Sequence, residues 1–248
     1  GTREISLAAG ESAEVEFAGR MPGAKPWNPD TPNLYTLTAD LQIGGGTVDS
    51  ESARFGFRDF RVRNGRYHLN GVRVNLTCRG DSMTIPYKTS YLPHGDTEEY
   101  VRSFIEMHKA STNLYRTHCV PLAPRFYDIA AETGLMIIAE NELAFRFKYD
   151  LKNPLFWENA KRVAADRNNP AIVMWSVENE MCISYILDKI YFSEGLQAVA
   201  DVFRTLDPTR PVEFEGDGGW PFKGVENPTD TVNCHLYDET IGQNQRPE

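Results

Sequence analysis

The fold is decided by residues 171–180, which read AIVMWSVENE. The first seven of them are apolar or small and do not alternate with polar residues, a pattern typical of a parallel strand buried on both faces. The stretch ends in Glu178, Asn179 and Glu180. Because burying an unpaired carboxylate is costly, we expect these three residues to lie where the strand leaves the core and meets water. Acids at the carboxyl end of a buried parallel strand indicate an enzyme site, with a polar loop that merely ends the strand as the alternative.

Strands and helices alternate along the chain after residue 58. The expected strands cover residues 74–78, 112–115, 135–139, 171–177, 212–215 and 231–237. One expected helix begins at residue 96, and three more cover residues 124–133, 154–165 and 192–206. This alternation predicts a parallel sheet with helical crossovers, which an open doubly wound sheet and a closed (β/α)8 barrel both satisfy. The sequence lacks a Gly-x-Gly-x-x-Gly turn after the first strand and lacks a P-loop. Polar side chains instead converge from several strand ends, which favours the barrel.

The helix that begins at Asp96 has a clear inward face. Glu99 follows the cap residue at the spacing of a capping box. Four side chains share one face of this helix, namely Val101, Phe104, Ile105 and His108. We therefore interpret His108 as a histidine at the edge of the core rather than as a ligand.

Residues 1–58 have β character. Short strands are expected at residues 5–8 and 13–17 and a longer one at residues 34–43, where Gly44–Gly46 would form a hairpin loop. Three or four strands are too few for a complete sandwich, so we interpret residues 1–58 as the last strands of a β-sandwich domain, with a small sheet decorating the main domain as the alternative. Residues 59–248 then form a partial barrel of about six strands. Because such a barrel needs about 250 residues of its own, we expect a chain truncated at both ends.

Composition excludes some classes of partner. The net charge of −9 argues against nucleic acid, whose phosphates require clustered Lys and Arg. No apolar run approaches the roughly 20 residues that a membrane span needs. The chain opens on Gly1-Thr2 without a signal peptide. A periplasmic, extracellular or cytoplasmic location is therefore left open, as is the oligomeric state.

Several short motifs follow one another in a characteristic order. They are Trp27–Tyr35, Phe55-Gly56-Phe57-Arg58, Leu69-Asn70-Gly71, Arg79-Gly80, Arg116-Thr117, Arg125-Phe126-Tyr127-Asp128, Asp166-Arg167-Asn168-Asn169-Pro170, Trp175-Ser176 and Asn179-Glu180. Together they resemble the motifs of family 2 glycoside hydrolases, the group of β-galactosidases, β-glucuronidases and β-mannosidases. The resemblance implies an α/β fold, a (β/α)8 TIM barrel preceded by the end of an immunoglobulin-like β-sandwich. It also implies hydrolysis of β-linked sugars with retention of configuration.

The resemblance assigns roles to two residues. Glu180 would be the general acid/base, and Asn179 would hydrogen-bond the 2-hydroxyl of the sugar. Retaining hydrolysis uses two carboxyl groups about 5 Å apart, and the acid needs a raised pKa. Glu178 could raise that pKa by charge repulsion, or it could be a solvated acid at the strand end. In the family the nucleophile follows the sixth strand, so we expect it beyond residue 248. We therefore expect this chain alone to hydrolyse aryl β-glycosides no faster than its Glu180→Gln variant.

Other polar residues are candidates for contacting the substrate. They are Arg79, Arg116, Glu140, Trp220, His235 and Tyr237. The two arginines could orient the carboxyl groups or contact sugar hydroxyls, and a structural ion pair is the favoured interpretation for Arg79. Trp220 could stack on a pyranose face or simply pack. His235 and Tyr237 close the sixth strand and could hydrogen-bond the nucleophile or the sugar.

The sequence departs from the family pattern at residues 81–83, at residues 118–119 and at Ala139-Glu140, where the family's acidic pair is only half kept. The histidine through which some members bind magnesium is not recognisable, so we expect no obligatory metal and no cofactor. Four cysteines near strand ends, together with two histidines, suggest zinc, but the spacing of structural zinc ligands is missing and buried thiols are favoured; these residues are Cys78, Cys119, Cys182, Cys234, His118 and His235. Two alternatives to a glycosidase therefore stay open, a carbohydrate-binding pseudo-enzyme on the same barrel and a metal-dependent barrel hydrolase.

Overall fold

The computed structural model describes residues 1–78, 98–118, 122–140, 161, 163, 165–179, 189–215 and 230–231. Its strands are β1 (Tyr35–Ile43), β2 (Gly46–Phe55), β3 (Phe60–Arg63), β4 (Arg66–Leu69), β5 (Val72–Arg73), β6 (Leu114–Arg116), β7 (Met136–Glu140), β8 (Ile172–Asn179) and β9 (Val212–Glu215), and its helices are α1 (Glu98–Lys109), α2 (Pro124–Thr133) and α3 (Lys189–Leu206). The predicted cap at Asp96, nearly all of the predicted helix 154–165 and all but the first residue of the predicted strand 231–237 lie outside the described residues.

The main sheet is parallel, and its strands follow chain order. Its order is β6-β7-β8-β9, and Cys78 adds a parallel bridge to Leu114 at the β6 edge. Each strand therefore lies beside the next one in the sequence without a reversal of direction. A barrel wall is built in this way, whereas a doubly wound sheet has a switch point where the order reverses.

The predicted strand at residues 74–78 is reduced to that single bridge at Cys78. The side chain of Asn113 explains the loss, because it occupies backbone groups that a regular ladder would use. Its Oδ1 accepts from the amide of Thr77 at 2.9 Å, and its Nδ2 donates to the carbonyl of Asn75 at 2.8 Å. The backbone amide of Asn113 also donates to the carbonyl of Thr77 at 3.1 Å.

Strand β8 is buried over its whole length, as the run of apolar residues predicted. The expectation that Glu178 and Asn179 meet water is wrong, because both have no exposed surface. The strand continues to Asn179, which pairs with Glu215 of β9.

The helices cover one face of the sheet. In α1 the buried residues are Val101, Phe104, Ile105 and His108, which confirms the predicted face. The His108 ring lies 4.2 Å from the ring of Phe104 and 5.2 Å from that of Tyr115, so His108 belongs to the core, as predicted. Gly134 ends α2 in the left-handed conformation, with φ 81°, as a C-cap. None of the described helices is long and apolar enough to cross a membrane.

The N-terminal residues contain one hairpin, β1–β2. Gly44 and Gly45 both have positive φ, as a two-residue hairpin turn requires. The described residues do not cover the apolar side of this hairpin, since Leu37 and Leu41 are 63% and 51% exposed. The strands predicted at residues 5–8 and 13–17 are wrong, because these residues pair with no strand in the described part of the chain. Alternating apolar residues form a strand only where a partner strand and a covering layer are available.

The segment around Trp27 packs against the amino-terminal end of the sheet. The Trp27 side chain is fully buried, and its indole N–H donates to the carbonyl of Ala131 at 2.8 Å, near the end of α2. A Cβ added at Gly134 would lie 2.1 Å from the carbonyl oxygen of Pro29, so the two backbones are in close contact. These contacts lie at the end of the barrel opposite to the carboxyl ends of its strands.

A group of polar side chains, which we call the basal network, lies at the beginning of β8. It consists of the half-buried Arg58 and the buried Trp175, Asp207 and Arg210. Arg58 and Arg210 both donate to the carbonyl of Ile172, at 3.2 and 2.6 Å. Burial and, secondly, the neighbouring Arg210 lower the pKa of Arg58. Burial would raise the pKa of Asp207, but its hydrogen bonds and the charge of Arg210 hold that pKa below its ordinary value.

Candidate active site

Three polar side chains from three neighbouring strands meet at the carboxyl end of the sheet. Arg116 ends β6, Glu140 ends β7 and Asn179 ends β8. The Arg116 Nε donates to Oε2 of Glu140 at 2.6 Å, and one of its terminal nitrogens donates to Oδ1 of Asn179. We call these three residues the strand-end triad. Their meeting follows from the parallel order of the strands, which brings the carboxyl ends to one edge.

The triad is largely withdrawn from water. The side chain of Glu140 has no exposed surface, and that of Arg116 is 14% exposed. Asn179 is fully buried. An ion pair in such surroundings is screened much less than one at the surface, so its geometry is held more firmly. Thr117 helps to hold Glu140 in place, because the Thr117 hydroxyl accepts a hydrogen bond from the backbone amide of Glu140 at 2.8 Å.

A β-bulge in β8 determines the direction of Asn179. Ser176 pairs with Glu213, but Asn179 pairs with Glu215. Three residue steps on β8 therefore match two steps on β9, which means that β8 contains one extra residue. Such a bulge re-aims the side chains that follow it and is common beside active sites.

The helix side of β8 is identified by Trp175. Its indole N–H donates to Asp207 at 2.9 Å, and its ring meets that of Phe203 on α3. Strict alternation would turn Asn179, four residues later, toward the same helix layer. The inserted residue reverses the alternation, so Asn179 instead reaches Arg116 on the other face of the sheet.

Two buried acids accompany the triad on β8 and β9. Glu178 has no exposed surface, which excludes its interpretation as a solvated strand-end acid. Glu213 is 2% exposed, and the hydroxyl of Thr231 lies 3.4 Å from its Oε2. The sequence contained a signal for Glu213, because it lies between the buried apolar residues Val212 and Phe214 and must therefore point away from them.

The described residues contain three of the predicted site residues and bring them together, namely Arg116, Glu140 and Asn179. The others, Arg79, Glu180, Trp220, His235 and Tyr237, lie outside the described residues. Glu180 directly follows the last residue of β8. Thr117 and the bulge in β8 were not predicted from the sequence.

The described part of the chain contains no group of three or more His, Cys, Asp or Glu residues placed to hold a metal ion. Cys78 is exposed there. Four of the six residues on which the zinc hypothesis depended, Cys119, Cys182, Cys234 and His235, are outside the described residues. The expectation about metals therefore stays a prediction.

Two family models match this chain. The TIM barrel domain of glycosyl hydrolases family 2 matches residues 94–245. A second model of glycosyl hydrolases family 2 matches residues 2–58. The chain belongs to glycosyl hydrolases family 2. Membership confirms the resemblance of the motifs, and it confirms the fold, an incomplete TIM barrel preceded by the family's N-terminal sandwich domain.

Several curated relatives are moderately similar to this family 2 chain. A β-galactosidase of Psychromonas ingrahamii is 28% identical over 85% of this chain and 20% of its own length. A β-galactosidase of Priestia megaterium is 25% identical over 86% of this chain and 21% of its own length. The chain therefore spans about a fifth of the length of these relatives. A solved β-galacturonidase of Eisenbergiella tayi, bound to galacturonate, is 25% identical with a TM-score of 0.64, over 79% of this chain and 35% of that one.

Proposed function

We propose that the protein containing this chain is a retaining β-glycosidase that hydrolyses terminal β-linked sugars, with a β-galactoside as the first substrate to test. Glu180 acts as general acid/base, and Asn179 hydrogen-bonds the 2-hydroxyl of the sugar. The second carboxylate, the nucleophile, is the one that the family resemblance assigns to a strand after residue 248. Carbohydrate is accordingly the partner that the proposal requires.

The observation that carries the proposal is the position of Asn179. It ends β8, the bulge turns it toward Arg116, and Glu180 is the next residue in the chain. An acid at the carboxyl end of a barrel strand lies where TIM barrel enzymes place their chemistry. Family membership supports the same assignment.

The reaction explains why buried acids are useful here. Breaking a glycosidic bond requires a proton for a poor leaving group and stabilisation of an oxocarbenium-like transition state. A carboxylic acid stays protonated near neutral pH when burial or another carboxylate disfavours its charged form. Glu178 is buried and stands two residues before Glu180, so it is a candidate source of that repulsion.

The names of the relatives support the choice of substrate. Two curated relatives are β-galactosidases, and a solved neighbour is a β-galacturonidase. These names describe the relatives and not this chain. The galactoside is therefore the first substrate to test, and the corresponding galacturonide is the second.

The test uses the protein at its full natural length and phenyl β-D-galactopyranoside, whose leaving group needs a proton. Proton NMR of the first-formed sugar reports the stereochemistry, and the Glu180→Gln variant is the control. The proposal expects β-galactose as the first product and a loss of about 10²–10⁴-fold in kcat/KM in the variant, the usual contribution of general acid–base catalysis. First-formed α-galactose would contradict retention. Binding of the sugar without turnover would select the carbohydrate-binding pseudo-enzyme.

A further inference from the structure

We infer that Arg58 is a positioning residue, which holds a second β-bulge at the beginning of β8 and thereby fixes the face on which the rest of this strand presents its side chains. Arg58 ends the segment 55–58, which we call the joint because the match to the N-terminal family model stops there. Its place of action is the amino end of β8, opposite to the triad. The effect on catalysis rests on the proposed function, whereas the bulge itself does not.

The second bulge is visible in the pairing of β8 with β7. Ile137 of β7 pairs with Ile172, but the next residue, Ile138, pairs with Met174. One step on β7 therefore matches two steps on β8. This means that β8 carries one extra residue between Ile172 and Met174, and we call this feature the entry bulge.

The entry bulge decides which side chains of β8 face the helices. Ile172 is aligned through β7 with Tyr115, whose ring meets that of Phe104 on α1 at 5.5 Å, so Ile172 lies on the helix side. Strict alternation would turn Trp175, three residues later, to the opposite face. Trp175 instead contacts α3, so the extra residue has reversed the alternation. Without the entry bulge, every later side chain of β8, including that of Asn179, would face the wrong side of the sheet.

The entry bulge needs hydrogen-bond donors because it lies in the core. A bulge disrupts the ladder, and Ile172 has no exposed surface, so water cannot satisfy its carbonyl group. Arg210 donates to this carbonyl at 2.6 Å and Arg58 at 3.2 Å, which occupies both lone pairs of the oxygen. Arg210 is anchored inside the barrel by Asp207 and by the carbonyl of Asn169. Arg58 is therefore the donor that the N-terminal part of the chain contributes.

The joint holds Arg58 in place through a close backbone contact. A Cβ added at Gly56 would lie 2.7 Å from Cγ of Pro170 and 3.2 Å from the carbonyl oxygen of Asn33. The joint is thus packed directly against the loop that leads into β8. Arg58 also donates to the carbonyl of Thr209 at 3.3 Å, just before β9. One planar fork therefore connects the beginnings of two barrel strands, and a lysine, with its charge at a single point, cannot reproduce this geometry.

The first experiment is hydrogen–deuterium exchange, measured by mass spectrometry, on the Arg58→Lys variant at full natural length. Lysine keeps the charge but loses the fork. We expect exchange in a peptide that covers β8 to be at least tenfold faster than in the wild type, and exchange in a peptide that covers α1 to stay within twofold. A general loss of stability would accelerate both peptides by the same factor. Equal acceleration, or no acceleration in β8, would overturn the inference.

Further variants test the joint and supply the controls. Gly56→Ala moves the joint away from the loop before β8 and should accelerate the same peptide, whereas an unchanged peptide would contradict the role of the joint. Its control is Gly46→Ala, because the nearest atom lies 3.9 Å from the added Cβ. The control for Arg58→Lys is Arg54→Lys, because Arg54 lies on β2 and contacts Glu132 at 2.7 Å. Both controls should leave the β8 peptide unchanged.

A second readout separates positioning from stability. On phenyl β-D-galactopyranoside we expect Arg58→Lys to lower kcat at least fivefold and to leave KM within twofold, because the residues at the end of β8 act mainly in the transition state. A contribution to stability alone would lower the urea midpoint and leave kcat of the folded protein unchanged, and this result would overturn the positioning role. A wild type that hydrolyses neither the galactoside nor the galacturonide would overturn the proposed function, and the exchange experiment would still decide whether Arg58 holds the entry bulge.

Discussion

Replacing Gly134 with alanine should destabilise the protein by an amount that can be worked out from three separate contributions. Gly134 has φ +81°, and an alanine in the left-handed region costs roughly 1 kcal/mol. The added Cβ would lie 2.1 Å from the carbonyl oxygen of Pro29, which is backbone and cannot simply rotate away. Overpacking of this kind costs about 1–3 kcal/mol. If the segment shifts, the bond from the Trp27 indole to Ala131 is also lost, at about 1 kcal/mol.

The control for this prediction is Gly71→Ala. Gly71 has φ +82°, almost the same backbone conformation, but no atom lies within 4 Å of the added Cβ. Its substitution should therefore cost only the conformational part, roughly 1 kcal/mol. The difference between the two variants isolates the contact between the Trp27 segment and α2.

The assay is urea unfolding followed by tryptophan fluorescence, to which the buried Trp27 contributes. We expect Gly134→Ala to lose about 3–5 kcal/mol of unfolding free energy and to exceed Gly71→Ala by at least about 2 kcal/mol. Equal losses in the two variants would refute the close packing of the N-terminal segment against the end of α2.

The other predictions concern two charged groups. Arg210→Met should cost about 3–5 kcal/mol in urea unfolding, because it leaves the buried Asp207 without its cation. The double variant Arg210→Met/Asp207→Leu should recover part of that loss, and an equal loss in both would argue against a charge effect. Burial would raise the pKa of Glu132, but hydrogen bonds from Arg125, Arg102 and Arg54 lower it to about 2. Because the pKa is lowered on folding, Glu132 should contribute about 1–2 kcal/mol above pH 4.5 and lose it as the pH falls toward 2. The difference in unfolding free energy between wild type and Glu132→Gln should shrink over that range, and a constant difference would contradict the assignment.

Periodicity predicted the elements whose burial depends on local pattern. The face of α1 and the buried run of β8 follow from the spacing of apolar residues, which directly determines which side can face a core. Gly134 was predictable as a helix end because glycine is preferred in the left-handed conformation. The order of the barrel strands followed from the alternation of strands and helices together with the family motifs.

Features that depend on a partner in space were not predictable. Ala13–Phe17 alternates as a strand does, yet no strand pairs with it among the described residues. Nothing in the sequence of β8 marks the bulge before Asn179, because a bulge is defined by the register with β9. Asp207 and Arg210 lie between the predicted helix 192–206 and the predicted strand 212–215, and the sequence does not indicate that they form a buried ion pair. Arg116, Glu140 and Asn179 were predicted singly, and the contacts among them required the structure.

Glu180 is the proposed proton donor to the departing sugar oxygen, and the dependence of the rate on the leaving group distinguishes this role from a purely structural one. The measurement compares phenyl and 2,4-dinitrophenyl β-D-galactopyranosides in the wild-type and Glu180→Gln proteins at full natural length. Dinitrophenolate leaves without protonation, so we expect kcat/KM of the variant to fall by about 10²–10⁴-fold on the phenyl substrate but by less than about tenfold on the dinitrophenyl one. Losses of equal size on the two substrates, or no loss on the phenyl substrate, would contradict the claim.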